Sequence, residues 1–268
     1  MSRLGMIAIG QYVPRTSFIH RLDPRTKIVL TVAWMAMIFL ANNFWTYVGL
    51  VVFILLAFIL SKIPVRFIWR GLKPVWWLLL FTLLMHIWLT KEGDILWQWG
   101  VITVHEQGLL QGLTLTLRIA LLVLGASLLT LTTQPLALTD GLEKLLCPLH
   151  RVRFPVHEFA LMLSIALRFI PTLLQEVDRL IKAQEARGGS FSSGSFTKRV
   201  LNIISILVPL FISAFQKADD LALAMEARAY RGGQGRTHLR ALVFKKTDLS
   251  ALISSLLLFV FILCCRNW

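Results

Sequence analysis

Arginine suits one kind of recognition better than any other side chain. Its planar guanidinium presents a fork of donors that matches a carboxylate, and it keeps its charge at every physiological pH. In this chain two arginines close two consecutive helical patterns in nearly the same words. Gln184-Glu185-Ala186-Arg187-Gly188-Gly189 ends one, and Met225-Glu226-Ala227-Arg228-Ala229-Tyr230 ends the next. A single such ending needs no function, because a cation complements the helix macrodipole and glycine just beyond is a common cap. Two copies on adjacent helices of similar length read instead as a docking device with two contact points, each offering a fork to a carboxylate on a partner.

Other reactive groupings are missing or scattered. No Gly-x-x-x-x-Gly-Lys-Ser/Thr loop occurs, so any phosphate-cradling loop must come from elsewhere. The six histidines include no His-Glu-x-x-His, and His150 and His157 read as interfacial groups rather than metal ligands. Cys147, Cys264 and Cys265 have neither metal spacing nor a disulfide framework. No serine, cysteine or carboxylate constellation supports an intramembrane enzyme. His86, Arg118 and Arg168 sit in apolar segments, where ionisable groups suggest an ion path by default. Too few acids accompany them for a proton relay, so internal pairing or snorkelling is the better account. Gly108-x-x-x-Gly112 offers a place for two helices to approach closely, on the evidence of one small-residue pair.

The elements that must position the arginines lie in a very apolar chain. Apolar residues make up 56% of the 268, with a mean hydropathy of +0.70, against about 45–50% apolar in soluble domains. The expectation is an all-α integral membrane protein with about five spans: Ile28–Ala41, Phe44–Leu60, Val75–Leu89, Gly108–Leu131 and Leu249–Cys265. The formal net charge of +14 then reflects cytoplasmic Lys and Arg rather than nucleic-acid binding, for which no basic-aromatic module is present. Because a basic leader precedes the first run and no small-residue cleavage site follows it, that run reads as a span and not a signal peptide. Asp23 can cap it and Pro24 fits its first position.

Loop charge sets the orientation. Arg15, Arg21, Arg25 and Lys27 precede the first span, and Lys62, Arg66, Arg70 and Lys73 separate the second from the third. The loop from Thr90 to Gln107 holds only Lys91 among three acids, with Trp97 and Trp99 suited to an interface. The alternation places the N-terminus and the 132–247 region in the cytoplasm and the C-terminus outside. The divisions expected are a cytoplasmic N-terminal segment (1–27), a four-helix membrane region (28–131), a cytoplasmic coupling-helix region (132–247), and a last span with a short external tail (248–268).

Within 132–247 three helical patterns occur: Asp140–His150, stopped at Cys147-Pro148, then about Val156–Arg187 and about Thr197–Arg228. Pro171 and Pro209 should kink or break the long ones. From His157 to Arg187 a helix would measure about 46 Å, well beyond a hydrocarbon core of about 30 Å. Crossing would also carry Arg179, Lys182, Arg187, Lys198 and Arg199 outside and part the two arginine endings. Both patterns therefore read as cytoplasmic or interfacial helices, joined by a flexible turn from Gly188 to Ser195. Leu173, Val177 and Ile181 mark the apolar side of one. Phe211, Phe215, Ala218, Ala222 and Met225 mark that of the other. These stripes either pack the two helices together or admit a partner's helix.

Tyr12-Val13-Pro14, then His20-Arg21-Leu22-Asp23-Pro24-Arg25-Thr26-Lys27, and the paired Ala186-Arg187-Gly188 and Ala227-Arg228-Ala229 carry a family resemblance that covers essentially the whole chain. The chain resembles the transmembrane coupling subunit (T component) of energy-coupling factor transporters, importers of vitamins and metal ions related to ATP-binding cassette systems. It departs from the family's opening only in having Arg15-Thr16 where glycine-aspartate is often seen. The resemblance implies a non-catalytic subunit in a prokaryotic cell membrane. Arg187 and Arg228 would insert into acidic grooves on two cytoplasmic ATPase subunits, identical or different, which would carry the ATP and Mg2+. The apolar stripes would hold a separate membrane substrate-binding subunit. The alternative class is a self-contained secondary transporter, whose midplane polar site and repeated architecture are not evident.

Overall fold

The computed structural model describes residues 12–90, 92–99, 102–148, 155–188, 196–230, 232 and 243–266. Helices dominate: α1 (Pro24–Leu40), α2 (Phe44–Ser61), α3 (Val65–Leu72), α4 (Trp76–Leu89), α5 (Glu106–Thr132), α6 (Pro135–Leu146), α7 (Val156–Ala186), α8 (Phe196–Ala227) and α9 (Lys246–Arg266). The all-α membrane architecture expected from composition is what the chain adopts. Among the described residues, six helical segments are long and apolar enough to cross a membrane: α2, the combined 65–89 stretch, α5, α7, α8 from Val200, and α9.

Three local expectations need correction. The charged stretch between the second and third spans is not a loop, because Val65–Leu72 coils into α3 and passes through a 3-10 turn at Lys73–Val75 into α4. Its charges spread over one face of a short amphipathic helix, a pattern that counting Lys and Arg overlooks. The stretch after α4 holds an antiparallel hairpin, β1 (Ile95–Trp99) paired with β2 (Ile102–His105). It is a small departure from all-α, in which each strand satisfies the other's backbone groups. The third is α6, which starts at Pro135 rather than Asp140, with proline in the first turn where its missing N–H costs nothing. The side chains of Trp97 and Trp99, together with Lys91, His150 and all but Gly188 of the turn expected from Gly188 to Ser195, fall outside the described residues.

By internal contacts the chain forms two compact units, one of residues 11–142 with 242–268 and the other centred on 143–241. In the first, α1, α2, α5 and α9 share a core of Trp34, Met37, Ile38, Leu50, Leu121 and Ile262. Asp23 caps α1 as expected, its carboxylate accepting from the Arg25 N–H at 2.9 Å, with Pro24 in the first turn. Trp34 packs against Gly125, where any side chain would collide with its ring, and donates its indole N–H to the Leu121 carbonyl at 3.1 Å. Gly108 and Gly112 let α5 press on α4. A Cβ at Gly108 would sit 2.9 Å from the Thr90 carbonyl oxygen, and one at Gly112 would sit 3.2 Å from the His86 Cβ. Arg118 is internally paired, donating to the Ala41 carbonyl at 3.0 Å and the Tyr47 hydroxyl at 2.9 Å.

The helix ends of this unit meet at a buried polar knot. Asp248, in the first turn of α9, is fully buried and accepts from the backbone N–H of Asp23 at 2.7 Å and of Lys245 at 2.8 Å. Lys27 donates to the Thr132 carbonyl that ends α5, at 3.0 Å. Burial pushes its ammonium down to about 8, with the Asp248 and Asp23 carboxylates opposing the shift. The Val13 N–H donates to the Leu131 carbonyl at 3.0 Å, and His20 contacts the Val13 carbonyl at 3.0 Å and the Ser17 hydroxyl at 2.7 Å. Burial, ahead of other causes, lowers the His20 pKa.

Asp248→Ala strands two backbone donors and removes a counter-charge from Lys27, a loss of about 3–5 kcal/mol for an uncompensated buried charge. Thermal unfolding of the detergent-solubilised protein should therefore shift markedly downward, and Asp248→Asn should fall between it and the parent. A parental midpoint for the alanine variant would show that the knot carries no such weight.

Candidate docking site

Helices α7 and α8 end in the same backbone geometry. Arg187 is the C-cap of α7, and its N–H bonds to the Gln184 carbonyl at 3.1 Å. Arg228 follows the last residue of α8, and its N–H bonds to the Met225 carbonyl at 3.2 Å. The next residue in each case turns left-handed: Gly188 at φ +86° and Ala229 at φ +54°. The Gly188 N–H reaches the Glu185 carbonyl at 3.0 Å, and the Ala229 N–H reaches the Glu226 carbonyl at 2.8 Å. At α8 the motif is complete, because the Tyr230 N–H bonds back to the Met225 carbonyl at 3.0 Å. These are the paired bonds of a Schellman ending.

The two arginines therefore leave their helices at equivalent backbone positions. Both are exposed, as are Ala186, Gly188, Ala227 and Ala229. Among the described residues no carboxylate is recorded within ion-pairing reach of either guanidinium. Each helix C-terminus adds its own negative partial charge behind the cation. The small flanking residues leave room for a groove wall to close around the guanidinium. Glycine reaches the left-handed conformation freely, whereas alanine there is strained by its Cβ. The sequence gives no sign of that strain, which falls on the second arm of the device.

Both long helices run unbroken through their prolines, Pro171 and Pro209. Ile165, Phe169 and Leu173 of α7 and Ala214, Leu221 and Met225 of α8 line a groove of about 340 Å³ between the two helices. Of the apolar stripes read from sequence, Leu173, Ala218, Ala222 and Met225 line this groove. Phe211 and Phe215 do not, and stand 55% and 67% exposed. Val177 and Ile181 are half-buried. The periodicity of α8 thus marks one shoulder of the helix–helix contact rather than its centre. Ile203, Ile204, Leu207, Val208 and Ile212 are exposed as well, so α8 is apolar over most of its circumference.

Polar contacts join the same helices. Lys217 of α8 lies 3.7 Å from the Glu176 carboxylate of α7, and its ammonium also donates to the Ser213 hydroxyl at 2.9 Å. Near the start of α7, His157 Nδ1 meets the Glu143 carboxylate of α6 at 2.9 Å. His157 is thus engaged in a protein contact. The described residues hold no cluster of three or more His, Cys, Asp or Glu able to bind a metal. Sequence reasoning missed Glu176–Lys217, because nothing in two separate amphipathic patterns says which faces meet.

Comparison with known proteins finds relatives along nearly the whole chain. The model of the cobalt transport protein family (CbiQ) matches residues 15–239. An energy-coupling factor transporter transmembrane protein EcfT of Brevibacillus brevis is 54% identical over 255 residues, covering 95% of this chain and 96% of the relative. The EcfT protein of Bacillus subtilis is 51% identical, covering 93% of this chain and 94% of its own. That of Listeria innocua is 50% identical, with 92% and 93% covered.

The unequal residues at equivalent left-handed positions make a prediction of opposite signs. Gly188→Ala should weaken the end of α7, and Ala229→Gly should firm the end of α8, each by about 1 kcal/mol. Hydrogen exchange at the Gly188-position amide and at the residue-229 amide reads this directly. Faster exchange is expected in the first variant and slower in the second, and shifts of the same sign in both would contradict the assignment.

Proposed function

The chain belongs to the CbiQ cobalt transport protein family, alongside the EcfT membrane proteins of energy-coupling factor transporters, and from that membership we propose how it works. Arg187 and Arg228 dock into acidic grooves on two cytoplasmic ATPase subunits, and α7 and α8 transmit the motion of those subunits to a separate membrane substrate-binding subunit. ATP and Mg2+ sit on the partners, which perform the hydrolysis. The cargo is a vitamin or a transition-metal ion chosen by the substrate-binding subunit. The observation that carries this reading is the matched helix ending: two exposed guanidinium groups, with no ion-pair partner among the described residues, offered from equivalent backbone positions.

The broad apolar surface of α8 supports the second contact. Exposed patches of this extent mark a membrane or protein interaction site. Phe211 and Phe215 stand free for a partner's helix, while Ala218, Ala222 and Met225 form the small and adaptable floor beside them. Leu173, Val177 and Ile181 extend that face onto α7. In this reading both helices lie at the cytoplasmic side or in the interface, with residues 132–247 inside and the C-terminus outside.

Removing one arginine from a desolvated pair leaves its carboxylate unpaired, a loss of about 3–5 kcal/mol. Arg187→Ala or Arg228→Ala should weaken ATPase retention during purification, and the double variant should lose uptake altogether. Lysine should rescue poorly, since it lacks the fork. Normal uptake and ATP hydrolysis in the double alanine variant would refute the assigned role.

The placement of α7 and α8 has its own test, since by length and apolarity either helix could span. Single cysteines at Ser193 and Asn267, in a protein lacking Cys147, Cys264 and Cys265, are exposed to an impermeant thiol reagent in intact cells. Only the Asn267 site should label. Strong labelling at Ser193 would instead put the turn between the helices outside and favour a chain with more crossings.

A further inference from the structure

The ion pair between α7 and α8 stands in a definite relation to the two arginines. Arg187 follows Glu176 by 11 residues, as 187 − 176, and Arg228 follows Lys217 by 11, as 228 − 217. In a continuous helix that offset is about 16 Å of axial rise and about three full turns. Each arginine therefore leaves its helix on nearly the same side as the ion-pair residue below it, at the same distance. The helices are unbroken from Glu176 to Ala186 and from Lys217 to Ala227, one residue short of each arginine.

We propose that the Glu176–Lys217 ion pair is the pin between the two coupling helices, fixing the spacing and relative rotation at which Arg187 and Arg228 are presented together. The proposal rests on the docking role of those arginines for its functional meaning, but its geometry can be tested apart from that role. The pair is suited to the task. The Lys217 and Glu176 side chains are only 30% and 26% exposed, so water screens them less than it screens a surface pair. The Ser213 hydroxyl holds the ammonium from the preceding turn, and the Lys217 stem lines the apolar groove. Arg179 also approaches Glu176, at 3.8 Å, but it is 77% exposed and lies on the same helix, so it cannot link the two. A groove left partly unfilled gives little other resistance to sliding or rotation, because apolar contact is non-directional. A charge pair supplies the missing register.

The test uses spin labels at Ala183 and Ala224, both exposed and each four residues before its arginine, with Cys147, Cys264 and Cys265 replaced by serine. The chain is assembled with its natively co-purified partners in liposomes. The label-to-label distance distribution and the solute imported per ATP hydrolysed are then measured. Glu176→Gln and Lys217→Met, the latter keeping the apolar stem, should each broaden the distribution and lower transport per ATP several-fold while hydrolysis continues. Lys217→Arg should preserve both readouts. In the Glu176→Gln background, Lys217→Met should add little, as expected for two residues acting as one pair. An unchanged distribution in both neutral variants, or broadening that sums as if the sites were independent, overturns the pin. The double Arg187→Ala/Arg228→Ala variant separates this from the docking reading. It should lose the ATPases yet keep the parental distribution. If it retains the ATPases, docking falls, and the distance readings of the neutral variants still decide the pin.

Discussion

A carboxylate without access to water holds the helix ends of the larger unit. Asp248 takes two backbone N–H groups, one from the cap of α1 and one from its own approach, across 225 residues of sequence. Burying a charge is costly unless it is paired and hydrogen-bonded. That requirement draws the Asp23-Pro24 cap, Lys27 and the start of α9 to one point. Lys27 then reaches the carbonyl at the end of α5, so three helices are fixed by groups that cannot separate without leaving a polar atom unpaired. The apolar core beneath them is non-directional and could not fix this register by itself. In a membrane, where helix–helix association lacks a hydrophobic driving force of the aqueous kind, such polar ties matter more.

The second unit is built the other way. No residue of α8 from Val200 to Ala227 is buried within the chain, and in α7 only Val156 and Ala160 are. The two helices meet over a groove rather than a filled core. Few buried contacts mean little resistance to local rearrangement. A thin internal interface and rigid rods suit the coupling role proposed for these helices. The rods are supplied by about 31 and 32 residues of continuous helix, and their ends by caps of one geometry. The strain of Ala229 at φ +54° is tolerated at the end that carries Arg228, where left-handed backbone strain tends to mark function.

What could be read from residues alone follows from how local each signal is. The Asp23 cap, Pro24 and the arginine endings are contiguous signals, and the structure forms each as its neighbours dictate. The Gly108 and Gly112 pair carried less weight as a motif than it deserves as geometry, because a spacing cannot say which helix will press on it. Asp248 was legible only as a lone acid before the last apolar run, since its partner lies at the far end of the chain. The helix at Val65–Leu72 was hidden by its charges, and the hairpin at 95–105 by strands too short to show a period. On α8 the stripe divides, with Ala218, Ala222 and Met225 lining the groove beside α7 and Phe211 and Phe215 exposed, a division that helical period alone does not announce.

That all-round apolarity is itself informative. A helix that packs on one neighbour needs one apolar stripe, and α7 supplies only a shallow groove for it. The remaining exposed residues of α8, from Ile203 and Leu207 to Phe215, must be covered by lipid or by another membrane protein if the helix is to stay in solution with its charged second half. Asp219, Asp220 and Glu226 in that half, with the exposed Arg228, fit an aqueous contact and not a hydrocarbon one. One helix thus changes character along its length, largely apolar from Val200 to Phe215 and charged from Lys217 toward the arginine. On the docking proposed for Arg228, a displacement applied at the charged end would be carried to the apolar part by the helix backbone alone, because both lie on one continuous helix.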